Sequence, residues 1–265
     1  MVPVLVQLGP LTIYSFGAMM ALGFLMSGYI VSLGLARKGM DPEDAWSIVL
    51  WAAVGGIAGA RVLAIVGEWQ TFLQHPFASI FSGSGFVWYG GLVGGFISVS
   101  LFVWRRRYRW IAVADTVAPA LAMGHAIGRI GCQVSGDGDW GKPTTLPWAV
   151  AYPRAIVGWN AWLRENGLPP TTRVHPAPAY ETLSYCAIFC LLWWLRDKRV
   201  PDGSLLGVYL VTSSIARFAI ETVRVEPVVG AGMSQAQWIA MPLCAVGLLM
   251  LVLSRSRGSE RAVSA

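Results

Sequence analysis

Charged residues are scarce in this sequence of 265 residues: Asp, Glu, Lys and Arg make up 13% of it, and only 14 residues are acidic. An average soluble domain carries about twice that share of charge. In its place the chain has 55% hydrophobic residues, 13 tryptophans and a mean hydropathy of +0.56. Repeated apolar runs with so little charge argue against a soluble domain and predict an all-α integral membrane protein.

Cysteine is also rare, and the four cysteines lie in or beside apolar segments without the spacing of a disulfide framework or a zinc site. We find no cluster of metal ligands and no nucleotide-binding loop, so we expect neither a metal nor an organic cofactor. No Lys or Arg precedes the first apolar run, and no small-residue cleavage site follows it. These features argue against a cleavable signal peptide, and we expect that run to remain as a helix.

Seven apolar segments are each about 17 to 25 residues long, the length that a hydrocarbon core of roughly 30 Å requires. Their approximate ranges are 11–35, 46–66, 87–104, 111–131, 180–196, 204–224 and 237–254. Small residues recur in the second and third segments at spacings that suit close helix packing. We predict one domain of seven transmembrane helices over 1–254 and a disordered cytoplasmic tail over 255–265.

Basic residues are distributed unequally between the two sides of these segments. The loops after the first, third, fifth and seventh segments hold 12 of the 20, namely Arg37, Lys38, Arg105, Arg106, Arg107, Arg109, Arg196, Lys198, Arg199, Arg255, Arg257 and Arg261. The other side holds Lys142, Arg154, Arg164 and Arg173, all in one long loop. The positive-inside rule then predicts an outer N-terminus and a cytoplasmic C-terminus. The net charge of +6 therefore reflects topology, and we exclude nucleic acid as a partner.

The long outer loop, 132–179, is rich in Pro, Gly, Trp and Asp and exceeds the length of a plain connection. We expect it to fold as a small cap or to lie along the outer membrane interface. The interface would suit its five large aromatic residues, Trp140, Trp148, Tyr152, Trp159 and Trp162. Those aromatic side chains are equally explained by an interfacial belt without any role in binding a substrate.

Arg129 lies near the end of the fourth apolar segment, just before a glycine- and aspartate-rich turn. An ionisable side chain at that depth is costly unless it faces protein, water or an anionic group of a ligand. The anionic ligand most abundant there is a phospholipid. His125 precedes Arg129 by four residues, so the two side chains share one helical face. A packing role and a catalytic role for His125 are equally supported.

Arg217, Glu221 and Arg224 form a second helical stripe, at positions i, i+4 and i+7. The stripe could be an internal salt-bridge ladder that neutralises itself. With two arginines and one glutamate it instead leaves a positive charge, which a phosphate could satisfy through paired hydrogen bonds. We favour this phosphate-binding interpretation.

Two further pairs of residues have a structural and a chemical interpretation. Asp137 and Asp139 could form a calcium loop or an acid and base pair, but the spacing of an EF-hand is missing and a turn at a helix end is favoured. Tyr14 and Tyr89 lie near the outer ends of the first and third segments, where tyrosine is a common interface anchor.

Several short motifs occur along the chain in a set order. They are Tyr14, Tyr89-Gly90-Gly91, Asp115, Pro119, Gly128-Arg129-Ile130-Gly131, Gly141, His175-Pro176, Tyr180-Glu181 and RFxxExxR at 217–224. This set, which covers most of the chain, resembles the bacterial prolipoprotein diacylglyceryl transferases. The resemblance implies a seven-helix enzyme of the bacterial inner membrane with its N-terminus and active site on the periplasmic side. It also implies transfer of the diacylglyceryl group of phosphatidylglycerol to the lipobox cysteine of a preprolipoprotein, with release of glycerol phosphate.

The resemblance also implies roles for individual residues. Arg129 and Arg217 would hold the phosphate and stabilise charge on the departing glycerol phosphate. Glu221, Arg224 and Gly141 would complete the substrate site around these two arginines. Tyr14 and Tyr89 would contact the headgroup.

Several positions depart from the family pattern. Tyr89 and Cys132 stand where the family commonly has a histidine and an asparagine, Asp137 stands in place of a glutamate, and Pro178 stands in place of a glutamine. The first departure bears on the chemistry, because a thiol needs a base or a strongly positive site to become a thiolate. A tyrosine is a poor base at its ordinary pKa, so His125 is the candidate base.

Two alternatives from other functional classes stay open at this point. The first is a paralogue that binds or transfers phospholipid without modifying lipoproteins, which the missing histidine and asparagine would favour. The second is a small-solute transporter, in which intramembrane Arg and Glu would line a pathway. The absence of repeated halves in the sequence argues against the transporter.

Overall fold

The protein is a helical membrane protein, described here from a computed structural model covering residues 1–9, 11–81, 87–198 and 200–263. Seven helices are long: α1 (Ser15–Arg37), α2 (Asp44–Gly67), α5 (Trp88–Arg105), α6 (Trp110–Ser135), α8 (Ala177–Leu195), α9 (Ser204–Glu221) and α10 (Gln235–Val263). Three are short: α3 (Trp69–Gln74), α4 (Pro76–Phe81) and α7 (Trp159–Glu165). Two small antiparallel hairpins pair β1 (Val4–Leu8) with β2 (Leu11–Tyr14) and β3 (Val228–Gly230) with β4 (Met233–Ser234).

Within the described ranges, five helices are long and apolar enough to cross a membrane: α1, α2, α6, α9 and the Gln235–Ser256 part of α10. The apolar part of α5, Tyr89–Arg105, is shorter than these. Helix α8 carries Tyr180, Glu181 and Thr182 in its first turns, which lowers the hydropathy of its N-terminal end. The predictions of seven spans and of an outer N-terminus therefore stay predictions.

The predicted segment boundaries differ from the helices mainly at their ends. Residues 11–14, predicted as the start of the first span, form β2 because they pair with β1 instead of continuing α1. Helix α6 extends to Ser135, and α9 ends at Glu221, three residues before the predicted end of its span. Helix α10 runs to Val263, beyond the predicted 254. The disorder predicted for 255–265 stays a prediction, and Arg199 and residues 264–265 lie outside the described part of the chain.

The chain divides into two compact units, Met1–Ser27 with Ala114–Ala265 and Gly28–Val113. In the second unit α2 and α5 pack through glycines. A Cβ on Gly59 would lie 2.2 Å from the carbonyl oxygen of Gly90, and one on Gly94 would lie 2.3 Å from that of Gly55. Small residues are therefore required where these backbones meet, as in other closely packed membrane helices.

The same unit contains an ion pair between the start of α2 and the end of α5. Asp44 is buried, accepts a hydrogen bond of 2.7 Å from the Tyr108 hydroxyl and forms an ion pair with Arg106. Burial and the hydrogen bond to Asp44 raise the pKa of Tyr108 above its ordinary value. Arg106, predicted from the sequence only as a topology signal, therefore also compensates a buried carboxylate.

In the first unit α6, α8 and α9 share an apolar core. Ala118, Ala122 and Ala126 recur every four residues on one face of α6, where they pack against Tyr185, Ile188 and Leu192 of α8 and Leu205 of α9. Buried Asp115 accepts hydrogen bonds from the backbone amides of Gly203 (2.8 Å) and Leu206 (3.0 Å). Because helix N-termini leave amides without partners, this carboxylate joins α6 to the start of α9.

The segment between α6 and α8, which we call the aromatic cap (residues 136–176), has a core of its own. Trp140, Tyr152, Trp159, Leu163 and Val174 are buried together, with the Trp140 and Trp159 ring centroids 5.1 Å apart. Tyr152 donates a hydrogen bond of 2.9 Å to Gln133, and burial raises the pKa of Tyr152 to about 12. These buried aromatics stabilise the cap from inside, which an interfacial belt alone would not require, whereas Trp148 is exposed.

Candidate active site

Glu181 is the centre of a cluster of charged side chains in the first unit. Its side chain is fully buried in the second turn of α8. Oxygen Oε1 accepts hydrogen bonds from Nη1 of Arg217 at 3.1 Å and from Nη1 of Arg224 at 3.0 Å. Oxygen Oε2 lies 2.7 Å from Nε of Arg129 and 3.0 Å from Nε2 of His125. One carboxylate thus organises three arginines and a histidine.

The members of the cluster come from three helices. His125 and Arg129 lie one turn apart on α6, and Arg129 Nε is 3.4 Å from His125 Nε2. Arg217 and Glu221 lie in the last turns of α9, and Arg224 follows in the turn after it. The structure therefore brings together both helical stripes found in the sequence and adds Glu181 between them.

Asp139, in the turn after α6, joins two of the three arginines. Its Oδ2 forms an ion pair with Nη1 of Arg129, and its Oδ1 lies 2.9 Å from Nη2 of Arg224. Burial acts to raise the pKa of Asp139, but the charges of Arg129 and Arg224 outweigh it and hold the pKa below its usual range. The sequence favoured a turn at a helix end for Asp139, and these long-range pairs were not foreseen.

The charge balance differs from the one inferred from the stripe alone. Glu221 Oε2 lies 3.2 Å from Nη2 of Arg217, and Glu226 Oε1 lies 2.7 Å from Nη2 of Arg224. Three guanidinium groups therefore face four carboxylates in the described part of the chain, those of Glu181, Glu221, Asp139 and Glu226. The positive excess expected from two arginines and one glutamate is absent in this arrangement. The phosphate-binding interpretation of the stripe stays a prediction.

Exposure separates an inner layer of the cluster from an outer one. Glu181, Glu221 and Arg224 have side chains that are 0%, 2% and 4% exposed. The outer layer is formed by Arg129 at 18%, Arg217 at 23%, His125 at 29%, Asp139 at 32% and Glu226 at 34%. Within the outer layer, the carboxylates of Asp139 and Glu226 are more exposed than the guanidinium groups of Arg129 and Arg217.

The contacts of His125 restrict its tautomer. Both the carboxylate of Glu181 and the Nε–H of Arg129 lie near Nε2, but a ring nitrogen either donates or accepts a hydrogen bond. The carboxylate of Glu181 can only accept, and at 3.0 Å it lies closer to Nε2 than Arg129 Nε does at 3.4 Å. Nε2 is therefore best assigned as the donor to Glu181, which leaves the lone pair of neutral His125 on Nδ1. The ring also stacks on Tyr185, with 3.7 Å between centroids.

Cys132 lies at the edge of the cluster, with Sγ 3.9 Å from Nη1 of Arg129. Its sulfur and one oxygen each from Asp137 and Asp139 lie within 4.8 Å of one another, which is close enough for shared ligation of a metal ion. Asp139, however, is already paired with two arginines, and a metal would have to displace both. The donor set therefore fits arginine pairing better than it fits a metal ion.

Gly141 joins the aromatic cap to the arginine cluster. It forms an isolated bridge with Arg224, and its amide donates to the carbonyl of His175 at 2.9 Å. A Cβ at this position would lie 2.6 Å from the carbonyl oxygen of Val223 and 2.7 Å from Cβ of His175. The site residue predicted to bind substrate is thus a point of close backbone contact that positions Arg224.

Tyr14 and Tyr89 are the two tyrosines predicted to contact the lipid headgroup. Tyr14 is exposed at the end of β2 and belongs to the first unit. Tyr89 lies on α5 in the second unit and is half-buried there. Their predicted contacts with a lipid headgroup stay predictions.

A smaller set of polar side chains lies next to Glu181 along the chain. The Tyr180 hydroxyl accepts a hydrogen bond from Trp148 Nε1 at 2.7 Å and lies 3.2 Å from Nδ1 of His175. Sequence reasoning assigned no role to Tyr180 or to Glu181. The signal available for Glu181 was an acidic residue near the start of an otherwise apolar helix, which is costly unless paired.

Comparison with known proteins gives a consistent result. A family model described as prolipoprotein diacylglyceryl transferase matches residues 3–253. A protein of Paraburkholderia phymatum named phosphatidylglycerol–prolipoprotein diacylglyceryl transferase is 31% identical over 302 residues, which cover 99% of this chain and 96% of the relative. A protein of the same name from Burkholderia thailandensis is 29% identical over 289 residues, covering 97% of this chain and 95% of the relative.

Proposed function

The chain belongs to the prolipoprotein diacylglyceryl transferase family, and we propose that it moves the diacylglyceryl group of phosphatidylglycerol to the lipobox cysteine of preprolipoproteins. The observation that carries the proposal is the arginine cluster around Glu181, in a chain whose helices suit a membrane. A phosphodiester is the anionic group of the donor lipid, and arginine is the side chain best shaped to bind it.

In the proposed reaction the cysteine sulfur attacks the glycerol carbon that carries the phosphate. A carbon–sulfur bond forms as the bond between that carbon and the phosphate oxygen breaks, and glycerol phosphate leaves with the electron pair. Arg129 and Arg217, the two arginines of the outer layer, stabilise the charge on the departing phosphate. Buried Glu221 holds Arg217 through an ion pair, and buried Arg224 shares the carboxylate of Glu181 with both arginines.

Attack requires removal of the thiol proton, and His125 is the proposed base. Glu181 fixes its Nε2 as a donor, so that Nδ1 can accept the proton of the cysteine thiol. The resulting imidazolium would be stabilised by the carboxylate of Glu181 beside it, as a carboxylate stabilises histidine in hydrolase triads. Tyr89 remains the alternative base, because it stands where the family commonly has a histidine.

The setting of this reaction is also a proposal. We place the protein in the inner membrane with seven spans, an outer N-terminus and a cytoplasmic C-terminus, supported by the distribution of basic residues. The site then opens toward the periplasmic side, where the aromatic cap and Arg129 lie at the same end of α6. Phosphatidylglycerol and lipobox peptides are the expected partners.

Complementation of a conditional transferase mutant tests the function, with a gel shift of a reporter lipoprotein as the molecular readout. Growth together with a lipidated reporter is the expected result. Binding of phosphatidylglycerol without lipidation would instead support a lipid-binding paralogue, the alternative that Tyr89 and Cys132 favour. An inactive variant with Arg129→Ala provides the matched control for expression and insertion.

A further inference from the structure

Asp139 occupies a position in the cluster that suits a phosphate oxygen pair. Its two carboxylate oxygens bind guanidinium groups from two elements, Arg129 of α6 and Arg224 after α9. The two non-bridging oxygens of a phosphodiester can make the same pair of contacts. A headgroup that takes Arg129, the arginine shared by Asp139 and the proposed phosphate site, therefore competes with Asp139 for it.

The charge balance shows why this competition matters. With three arginines against four carboxylates, a phosphodiester added to the intact cluster would increase an existing negative excess. Glu181 and Glu221 are buried and fixed by several arginine contacts. Asp139 and Glu226 lie in the outer layer, and of these two only Asp139 contacts Arg129. Asp139 is thus the carboxylate whose departure makes room at the proposed phosphate site.

The backbone around Asp139 suits such a movement. Gly136 and Gly138 have φ angles of +66° and +100°, values at which glycine has more freedom than other residues. The Asp139 amide is held by a single long contact of 3.3 Å with Oδ1 of Asp137. A change in this two-glycine turn can withdraw the carboxylate without moving α6.

Resting on the proposed function, we propose that Asp139 is a positioning residue that competes with the phosphate of phosphatidylglycerol for Arg129, while its second carboxylate oxygen pairs with Arg224. It leaves the arginines when phosphatidylglycerol binds. Asp139 therefore orders the two arginines and lowers the affinity for the headgroup, since its ion pairs reduce the fraction of the protein that is competent to bind it.

The test is the dependence of initial transfer rate on the mole fraction of phosphatidylglycerol in mixed micelles, with the full chain and a lipobox peptide. We expect Asp139→Asn to lower KM for phosphatidylglycerol by roughly five- to tenfold, because a competing ion pair is removed. Inhibition by glycerol phosphate should strengthen in parallel. Asp139→Glu, which restores the charge, should return KM toward that of the parent protein.

Asp137→Asn is the matched control, because it removes one charge from the same turn while the Oδ1 of asparagine can still accept from the Asp139 amide. It should leave KM close to the parent value. An unchanged or higher KM in Asp139→Asn, in a parent protein that transfers normally, would overturn the proposal. A fall in kcat with an unchanged KM would also overturn the proposal, because it would indicate that Asp139 only supports the arginines and does not compete with the headgroup.

Hydrogen exchange of the parent protein in nanodiscs tests the same movement without any variant. Residues 136–140 should exchange faster with phosphatidylglycerol than with phosphatidylcholine alone, because the turn opens when the headgroup binds. Equal or slower exchange would contradict the proposal. If residues 136–140 exchange faster with phosphatidylglycerol but the parent protein transfers nothing, the result would count against the proposed function and would still support the role of Asp139.

Discussion

Glu181 is at the centre of the charged cluster, because each of its oxygens contacts two partners. Neither its partners nor those of Asp139 could be predicted from the sequence, since Glu181 lies 43 residues from Arg224 and Asp139 lies 85 residues from it. The sequence did single out the arginines as site residues, because a charged side chain inside an apolar segment is costly unless it has a partner. The sequence did not reveal how many carboxylates contact these arginines in the folded protein.

Replacement of Glu181 by Gln should destabilise the protein, because three arginines lose a charged partner whose side chain is fully buried. We expect the free energy of unfolding to fall by about 3 kcal/mol or more, with loss of transfer. Unfolding in mixed detergent micelles measures the first effect. Glu165→Gln, at an exposed position of α7, is the control and should change little. Equal stability of the two variants would remove Glu181 from the centre of the cluster.

Arg217→Lys should reduce transfer more than conservation of charge suggests. Arg217 contacts Glu181 through Nη1 and Glu221 through Nη2, and a single ammonium cannot reproduce that fork. Loss of one charged hydrogen bond corresponds to a decrease of roughly 10- to 100-fold in transfer rate. Arg154→Lys in the exposed part of the aromatic cap is the control. Wild-type lipidation by Arg217→Lys would exclude the phosphate role.

His125 and Tyr89 are the two candidates for the base that removes the thiol proton. If His125 Nδ1 takes the thiol proton, His125→Ala should lower transfer by roughly 10²- to 10⁴-fold while phosphatidylglycerol still binds, and Tyr89→Phe should cost much less. Rates with a reporter peptide at neutral pH provide the measurement. The reverse ranking would assign the proton to Tyr89. Full activity of both variants would show that the arginines alone lower the pKa of the thiol.

At the scale of elements, the apolar segments predicted the helices well in their middle and less well at their ends. The 11–14 stretch is as apolar as the helix that follows it, so periodicity alone could not separate β2 from α1. The aromatic cap was predicted as a possibility from its length, but its core depends on contacts among Trp140, Tyr152 and Trp159 that sequence spacing does not reveal.

Gly141→Ala tests the link between the aromatic cap and the cluster. The added methyl group would lie within 2.7 Å of Cβ of His175 and nearer still to the carbonyl of Val223, and such overpacking costs about 1–3 kcal/mol. Transfer should fall because the backbone next to Arg224 moves. Gly128→Ala on α6 meets no atom within 4 Å and serves as the control in the same unfolding and rate assays. Identical behaviour of the two variants would contradict a positioning role for Gly141.

At the scale of the whole molecule, membership of the family agrees with the membrane class predicted from composition. The proposed orientation of the protein in the membrane rests on the basic residues alone, because the arrangement of the helices does not indicate which end is cytoplasmic. Arg106 illustrates a second function of one such residue, since its ion pair with buried Asp44 serves packing as well as topology. We expect Arg106 to matter for stability and not for transfer.

Topology can be measured by labelling single cysteines in a background without native cysteines. A cysteine replacing Arg105, which is exposed at the end of α5, should resist a membrane-impermeant reagent in intact cells. A cysteine replacing Arg154 in the aromatic cap should react. Lysis should make the first position reactive, which controls for access. The opposite pattern would invert the proposed orientation.

The most direct test of the central claim is transfer by the purified protein in micelles of phosphatidylglycerol with a synthetic lipobox peptide. The account predicts that the peptide gains one diacylglyceryl group on its cysteine sulfur and that one equivalent of glycerol phosphate appears with it. Transfer should disappear when the cysteine is replaced by serine or when phosphatidylcholine is the only lipid. Tight binding of phosphatidylglycerol with neither product formed would contradict the account.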